Sequence, residues 1–245
     1  MIMFFYFFNY FILNKKLDKI AISTYRKVPF HNFEHALNVR KAFSEISNSL
    51  GINSKVLDVL WVAAIFHDSW HLYELKSTDE EKACQLTSKI LEKLEYSNTD
   101  IDKIINLIMW TVFLERGNIS DFDQMIIADS DISSIWKDYN VFLKSTARLY
   151  IETLKQEDYP SESWIIIFFK NTLNWFFWLL TSITWKKDNP FLLSNTSKIF
   201  PNFVENRDKL SNDINNNHNH LINIVKHEWK YFYWNELILF EEFNL

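Results

Sequence analysis

Hydrophobic positions recur at helical spacing along most of this chain. From Asn32 to Leu50, the residues Leu37, Val39, Ala42, Phe43 and Ile46 share one broad face, which predicts an amphipathic helix. Ser54 can cap a second helix running to about Leu72, with Val56, Leu57, Leu60, Ala63, Ala64 and Phe66 apolar. Ser77 and Glu80 have capping-box spacing, and Ala83, Leu86, Ile90 and Leu94 follow them. Thr99 or Asp100 can cap Ile101 to Thr111. Further helices fit Asp138 to Lys155, Ser161 to about Thr184, and His220 to about Phe240. No segment alternates with period two. The pattern predicts an all-α fold: a single helical bundle with an appended helical C-terminal part. Its expected divisions are an apolar N-terminal segment (1–24), a main domain (25–185) and a helical extension (186–245).

Two apolar stretches need a reading. Met1 to Leu13 is apolar apart from Asn9, but a membrane-crossing helix takes about 20 apolar residues. A signal peptide carries its positive charge before the apolar run, whereas Lys15 and Lys16 follow it here. A packing helix is the favoured reading and membrane association the lesser alternative. Trp164 to Trp185 is interrupted by Lys170, Asn171 and Asn174, which favours a buried helix over a membrane span. Ser211 to His220 is polar and low in complexity, so it reads as a solvated loop carrying His218 and His220.

Composition narrows the function. Of the 245 residues, 48% are hydrophobic and 23% charged, which excludes general disorder. A net charge of -5 argues against general nucleic-acid binding through phosphate contacts. The 2 glycines, Gly51 and Gly117, form no GxGxxG or GxxxxGK[ST] motif, so Rossmann and P-loop cofactor sites are excluded. The 1 cysteine, Cys84, allows no internal disulfide and no cysteine-based zinc site, and it fits a reducing, cytoplasmic setting.

Chemistry is carried by histidine and aspartate. His31 and His35 are four residues apart, as are His67 and His71, a spacing that on a helix gives one face. His67 and Asp68 close the apolar run VLWVAAIF, where a carboxylate is costly unless a cation or donors compensate it. Asp129 and Asp131 close another apolar run in MIIADSDISSIW. Histidine with aspartate suits divalent Zn, Mn, Fe, Mg or Co. Two of each leave coordination positions open for water and substrate, as in a catalytic rather than a closed structural site. Each residue also has a plainer role open to it: His31 can begin a helix, His35 and His67 can be satisfied core histidines, and Asp68 can end a helix. His71 can be exposed. Asp129 can cap a helix or support a ligand.

The order His35, His67-Asp68 and a distant aspartate resembles the H…HD…D signature of the HD-domain metal-dependent phosphohydrolases. Tyr25 to Val39 (YRKVPFHNFEHALNV) is similar to the P-[YF]-H-N-x-x-H-A signature of class I cyclic-nucleotide phosphodiesterases. Ala63 to His71 (AAIFHDSWH) is similar to their A-A-x-x-H-D-x-x-H segment, and Ser130 to Ile135 (SDISSI) to their D-[LI]-S segment. The resemblance spans roughly residues 25 to 136, with its motifs in family order.

The resemblance implies an HD-type catalytic domain. His35, His67, Asp68 and Asp131 would ligate a first divalent metal ion, with the D-I-S context favouring Asp131 over Asp129. Asp68 would bridge to a second ion (Zn, Mn, Mg or Fe) completed mostly by water. His31 would protonate the leaving oxygen, His71 would line the two-metal centre, and Asn32 would be structural beside the donor. Glu80 or Glu81 would be supporting acidic residues. Tyr139, Phe142 and Arg148 would follow the last ligand on a helix, with Arg148 open to a substrate phosphate or a salt bridge. The implied partner is a small phosphate ester of nucleotide type, cyclic diester or monoester.

The likeness to the phosphodiesterases weakens after His71. Their small polar stretch is replaced by LYELKSTDEEKA, and Gln85, Gln124 and Gln156 offer no evident counterpart to the purine-reading glutamine. Ser69-Trp70-His71 after Asp68 disfavours the stringent-response hydrolases, which carry an acidic pair there. Trp70 and the aromatic stretch 174–178 read as core, and His227 as surface. The alternative function is a degenerate HD domain acting as a non-catalytic binding or regulatory module. A third reading is a membrane-associated helical protein without this chemistry.

Overall fold

The computed structural model describes residues 15–51, 54–70, 78–111, 121–154, 158–181 and 190–234. Among these residues there are ten α-helices and no strand, so the fold is all-α. The apolar run 1–13, the residues around His71 and Ser77, Gly117 and the chain after 234 lie outside them. No helix among the described residues is long and apolar enough to cross a membrane.

The chain divides into two compact units. The first takes the described residues up to Lys27 together with His31–Asp131. The second takes Val28–Phe30 and everything from Ile132 onward. The division falls at 131/132, and the expected boundary at 185/186 lies outside the described residues.

In the first unit, α1 (15–24) precedes α2 (Phe33–Leu50), α3 (Ser54–Phe66), α4 (Thr78–Lys93), α5 (Asn98–Met109) and α6 (Phe122–Asp131). Helix α3 is the centre, packing against α2, α5 and α6. Val62, Ala63, Ala64, Ile65 and Phe66 are each at most 3% exposed, so its C-terminal half is buried all round. The largest side chains of this core include Phe43 and Phe66. Each contributes roughly 1.5–3 kcal/mol through burial. Arg40 ties three helices: it pairs with Asp18 of α1 at 2.8 Å, and its guanidinium lies 4.7 Å over the Trp61 ring of α3.

Local signals set the helix ends. Asn32 caps α2, its side chain accepting from the His35 N–H at 3.1 Å. Gly51 ends α2 with φ 66, a left-handed conformation that L side chains rarely adopt. Helix α5 starts earlier than expected. Its cap is Ser97, which accepts from the Asp100 N–H and donates to the Asp100 carboxylate, so the reciprocal pair outcompetes caps at Thr99 or Asp100.

The second unit holds a 3-10 turn (Ser133–Trp136), α7 (Tyr139–Glu152), α8 (Glu162–Thr181), α9 (Pro190–Asn216), α10 (His218–Trp229) and a π-helical turn (Lys230–Trp234). Helix α10 packs against α7, α8 and α9. The core is aromatic: Phe142, Phe176 and Phe203 stack in sequence with centroids 5.3 and 4.8 Å apart. The polar segment Ser211 to His220 is not a loop. Helix α9 runs through to Asn216, and only Asn217 breaks it before α10. Leu210, Asp213 and Ile214 point inward while the asparagines at 212, 215 and 216 stay exposed, so one face of this polar text is core.

Candidate metal centre

Three helix ends of the first unit converge on one point. His35 comes from the first turn of α2, held there by the Asn32 cap. His67 and Asp68 lie in the turn that directly follows α3, and Asp131 is the last residue of α6. Because α3 is buried on every side, the two residues that follow it are delivered into the interior. Helix C-termini carry partial negative charge, and two of them, from α3 and α6, end here.

The four side chains offer ligand atoms that all lie within 4.8 Å of one another. His67 Nε2 is 2.8 Å from Asp68 Oδ2, 3.4 Å from Asp131 Oδ1 and 3.4 Å from His35 Nε2. His35 Nε2 is 3.0 Å from Asp131 Oδ1 and 3.5 Å from Asp68 Oδ2. Ligand atoms bound to one ion at about 2.1 Å sit about 3 to 4 Å apart, so the set has the spacing of a single coordination sphere.

The protonation pattern fits as well. His67 Nδ1–H donates to the Ala64 carbonyl at 3.0 Å, which turns the Nε2 lone pair toward the cluster. Asp68 Oδ2 is buried and accepts no hydrogen bond despite its close approach to His67. Burial alone would push the His67 imidazole down, but the carboxylates of Asp68 and Asp131 overcome it and hold the pKa well above the ordinary value. Burial likewise pushes Asp68 up, and His67, His31 and His35 outweigh it, holding the carboxyl far below the usual range. Both shifts express one demand: two largely enclosed carboxylates need positive charge beside the imidazoles, and a divalent cation would supply it.

The remaining expected residues are placed as follows. His31 is not one of the four. It sits half-buried in the bend before α2, its ring 6.0 Å from that of His35 and nearly perpendicular to it, close enough for its charge to act on Asp68. His31 precedes the helix and His67 follows one, so helical i,i+4 geometry does not create either histidine pair. His71 lies outside the described residues. Asp129 is buried on α6 but is not in the cluster, because two residues along a helix turn a side chain to another face. Glu80 and Glu81 sit in the first turn of α4, also outside the cluster.

Trp70 is 40% exposed and so is not core. Arg148, in the second unit, pairs with the buried Glu228 at 2.9 Å. Two contributors were not foreseen. One is the Ala64 carbonyl, for which side-chain identity gives no signal. The other is Tyr25, whose buried hydroxyl has no hydrogen-bond partner and lies beside Asp68 and Asp131. Comparison with family models, with curated proteins and with solved structures finds no match for this chain.

Proposed function

We propose that this chain is a metal-dependent phosphohydrolase of the HD type, acting on a phosphate ester of nucleotide type. One observation carries the reading: His35, His67, Asp68 and Asp131 converge from three helix ends with ligand atoms within 4.8 Å of one another. The motif resemblance, rather than this geometry, carries the substrate class.

His35, His67, Asp68 and Asp131 would hold one divalent ion, and the bridging role implied for Asp68 would share a second. A cation bound there supplies Lewis acidity, neutralising phosphoryl oxygens and lowering the pKa of coordinated water. Ala64 keeps the His67 ring in the ligating tautomer through its carbonyl. Asn32 fixes the backbone of His35. His31, beside the four ligands and outside them, holds a proton on its imidazole and passes it to the departing ester oxygen. The water oxygen bonds to phosphorus as the ester P–O bond breaks, the departing oxygen takes the His31 proton to become a neutral hydroxyl, and the proton released by the water returns to the imidazole.

Metal content of the purified chain, reconstituted with Mn2+ or Zn2+, is the test, with Asp68→Ala alongside. The expected outcome is one to two ions per wild-type chain, lost in the variant, together with hydrolysis of cyclic or linear nucleotides by the loaded wild type only. Metal without turnover of any phosphate ester would favour the binding-module reading. No metal in the wild type would remove the hydrolase reading altogether.

A further inference from the structure

The Tyr25 hydroxyl is fully buried and donates to nothing, although the residue as a whole is partly exposed. Its ring packs edge-on against Phe33, with centroids 5.7 Å apart. The Asp68 backbone N–H approaches the phenolic oxygen, and the carboxylates of Asp68 and Asp131 are near enough to act on it. A phenol holds its proton near neutral pH, so the hydroxyl is a donor. Asp68 Oδ2, in the same interior, is an acceptor without a donor. Leaving a buried polar group unpaired is costly, and such a group persists where it has a role or where an ordered water or ion completes it.

We infer that Tyr25 belongs to the metal centre, its hydroxyl donating a hydrogen bond to the solvent oxygen that completes the ligand set of His35, His67, Asp68 and Asp131. The inference rests on the metal-centre reading but not on any substrate. Tyr25 is a positioning residue: it orients that oxygen by giving it one fixed donor. Phe33 sets the ring, and the short 25–32 segment carries both Tyr25 and His31 to the same centre.

The test uses the full chain loaded with Co2+, whose visible absorption reports its ligands, and fluoride, which replaces a solvent oxygen and accepts the same hydrogen bond. Tyr25→Phe should bind Co2+ within about threefold of wild type, while its fluoride affinity falls roughly tenfold, the loss expected for one hydrogen bond to an anion. Equal fluoride affinity in the two proteins would overturn the inference. So would loss of Co2+ from a folded variant, which would make Tyr25 a support for the ligands themselves.

Should the variant melt early, the wild type still decides. Fluoride binding should red-shift a tyrosine absorption band, and no shift overturns the inference. If the wild type takes up no Co2+, the metal-centre reading fails and this inference with it. If it takes up Co2+ but Tyr25→Phe is silent, only the inference fails.

Discussion

Both units of the chain set a histidine against an aspartate, and the two arrangements differ in how their polar atoms balance. In the second unit, His220 Nδ1 lies 2.6 Å from Asp213 Oδ2, and the Tyr139 hydroxyl donates to the same oxygen at 2.8 Å. The Asn217 amide donates to Asp213 Oδ1 at 3.4 Å. One carboxylate therefore receives three donors. The network pins the end of α9 to the start of α10 and to α7, beside an open groove of about 750 Å3. In the first unit, two carboxylates and two imidazoles crowd together, the imidazole Nε2 atoms face each other at 3.4 Å, and Asp68 Oδ2 is left unsatisfied. Residue types are shared. A closed donor–acceptor count makes a structural clasp, and a surplus of acceptors makes a candidate cation site.

The largest effect should come from asking which carboxylate belongs to the surplus. Asp131→Asn should lower metal affinity by two orders of magnitude or more, because it removes a charged ligand. Asp129→Asn, one helix face away, should leave affinity within tenfold whatever it does to stability. Isothermal titration with Mn2+ or Zn2+ measures both. Equal losses would show that α6 offers either carboxylate and that the cluster is less selective than its geometry.

The same contrast predicts a reversal in the second unit. Asp213→Ala should destabilise the protein by about 1–3 kcal/mol, because it removes the buried charged acceptor that Tyr139, Asn217 and His220 share. Metal uptake should not change. Denaturant unfolding with and without Mn2+ checks this: the stabilisation added by saturating metal, about 2.7 kcal/mol at a hundredfold excess over Kd, should survive in Asp213→Ala. If it were lost, the division between clasp and cation site would collapse.

This contrast was only partly legible in the sequence. Helix α2 was readable because the Asn32 cap, the apolar stripe and Gly51 all agree. His67-Asp68 was readable as a point needing compensation because a carboxylate ends an apolar run there, and α3 is buried before it. Helix α9 was hidden: Pro201 and a run of asparagines suggest a break, yet Phe203, Asn206, Leu210 and Asp213 form an inward stripe at helical spacing. Asn206 earns its burial by donating to the Ile135 and Lys137 carbonyls, a partnership 71 and 69 residues away that no local pattern announces. The placement of Tyr25 and of the Ala64 carbonyl beside the cluster depends on tertiary position, for which residue identity gives no signal.

The smallest effect is the most specific to the clasp. Tyr139→Phe deletes one hydrogen bond to Asp213 and should cost about 1 kcal/mol near neutral pH. Burial, the hydrogen bond to Asp213 and that residue's charge all push the Tyr139 phenol above its ordinary pKa of 10.0. In the unfolded chain the phenol ionises near 10, while the folded chain keeps the proton. The unfolded state therefore binds fewer protons above that pH, and stability falls as pH rises. The contribution of Tyr139 is fully present below pH 10 and is progressively lost above it. Tyr139→Phe has no such proton, so its deficit against wild type should shrink on moving from pH 8 to above pH 10. Paired urea melts across that range measure it. A constant deficit would mean that the hydroxyl stays solvated and that the clasp is held by His220 and Asp213 alone.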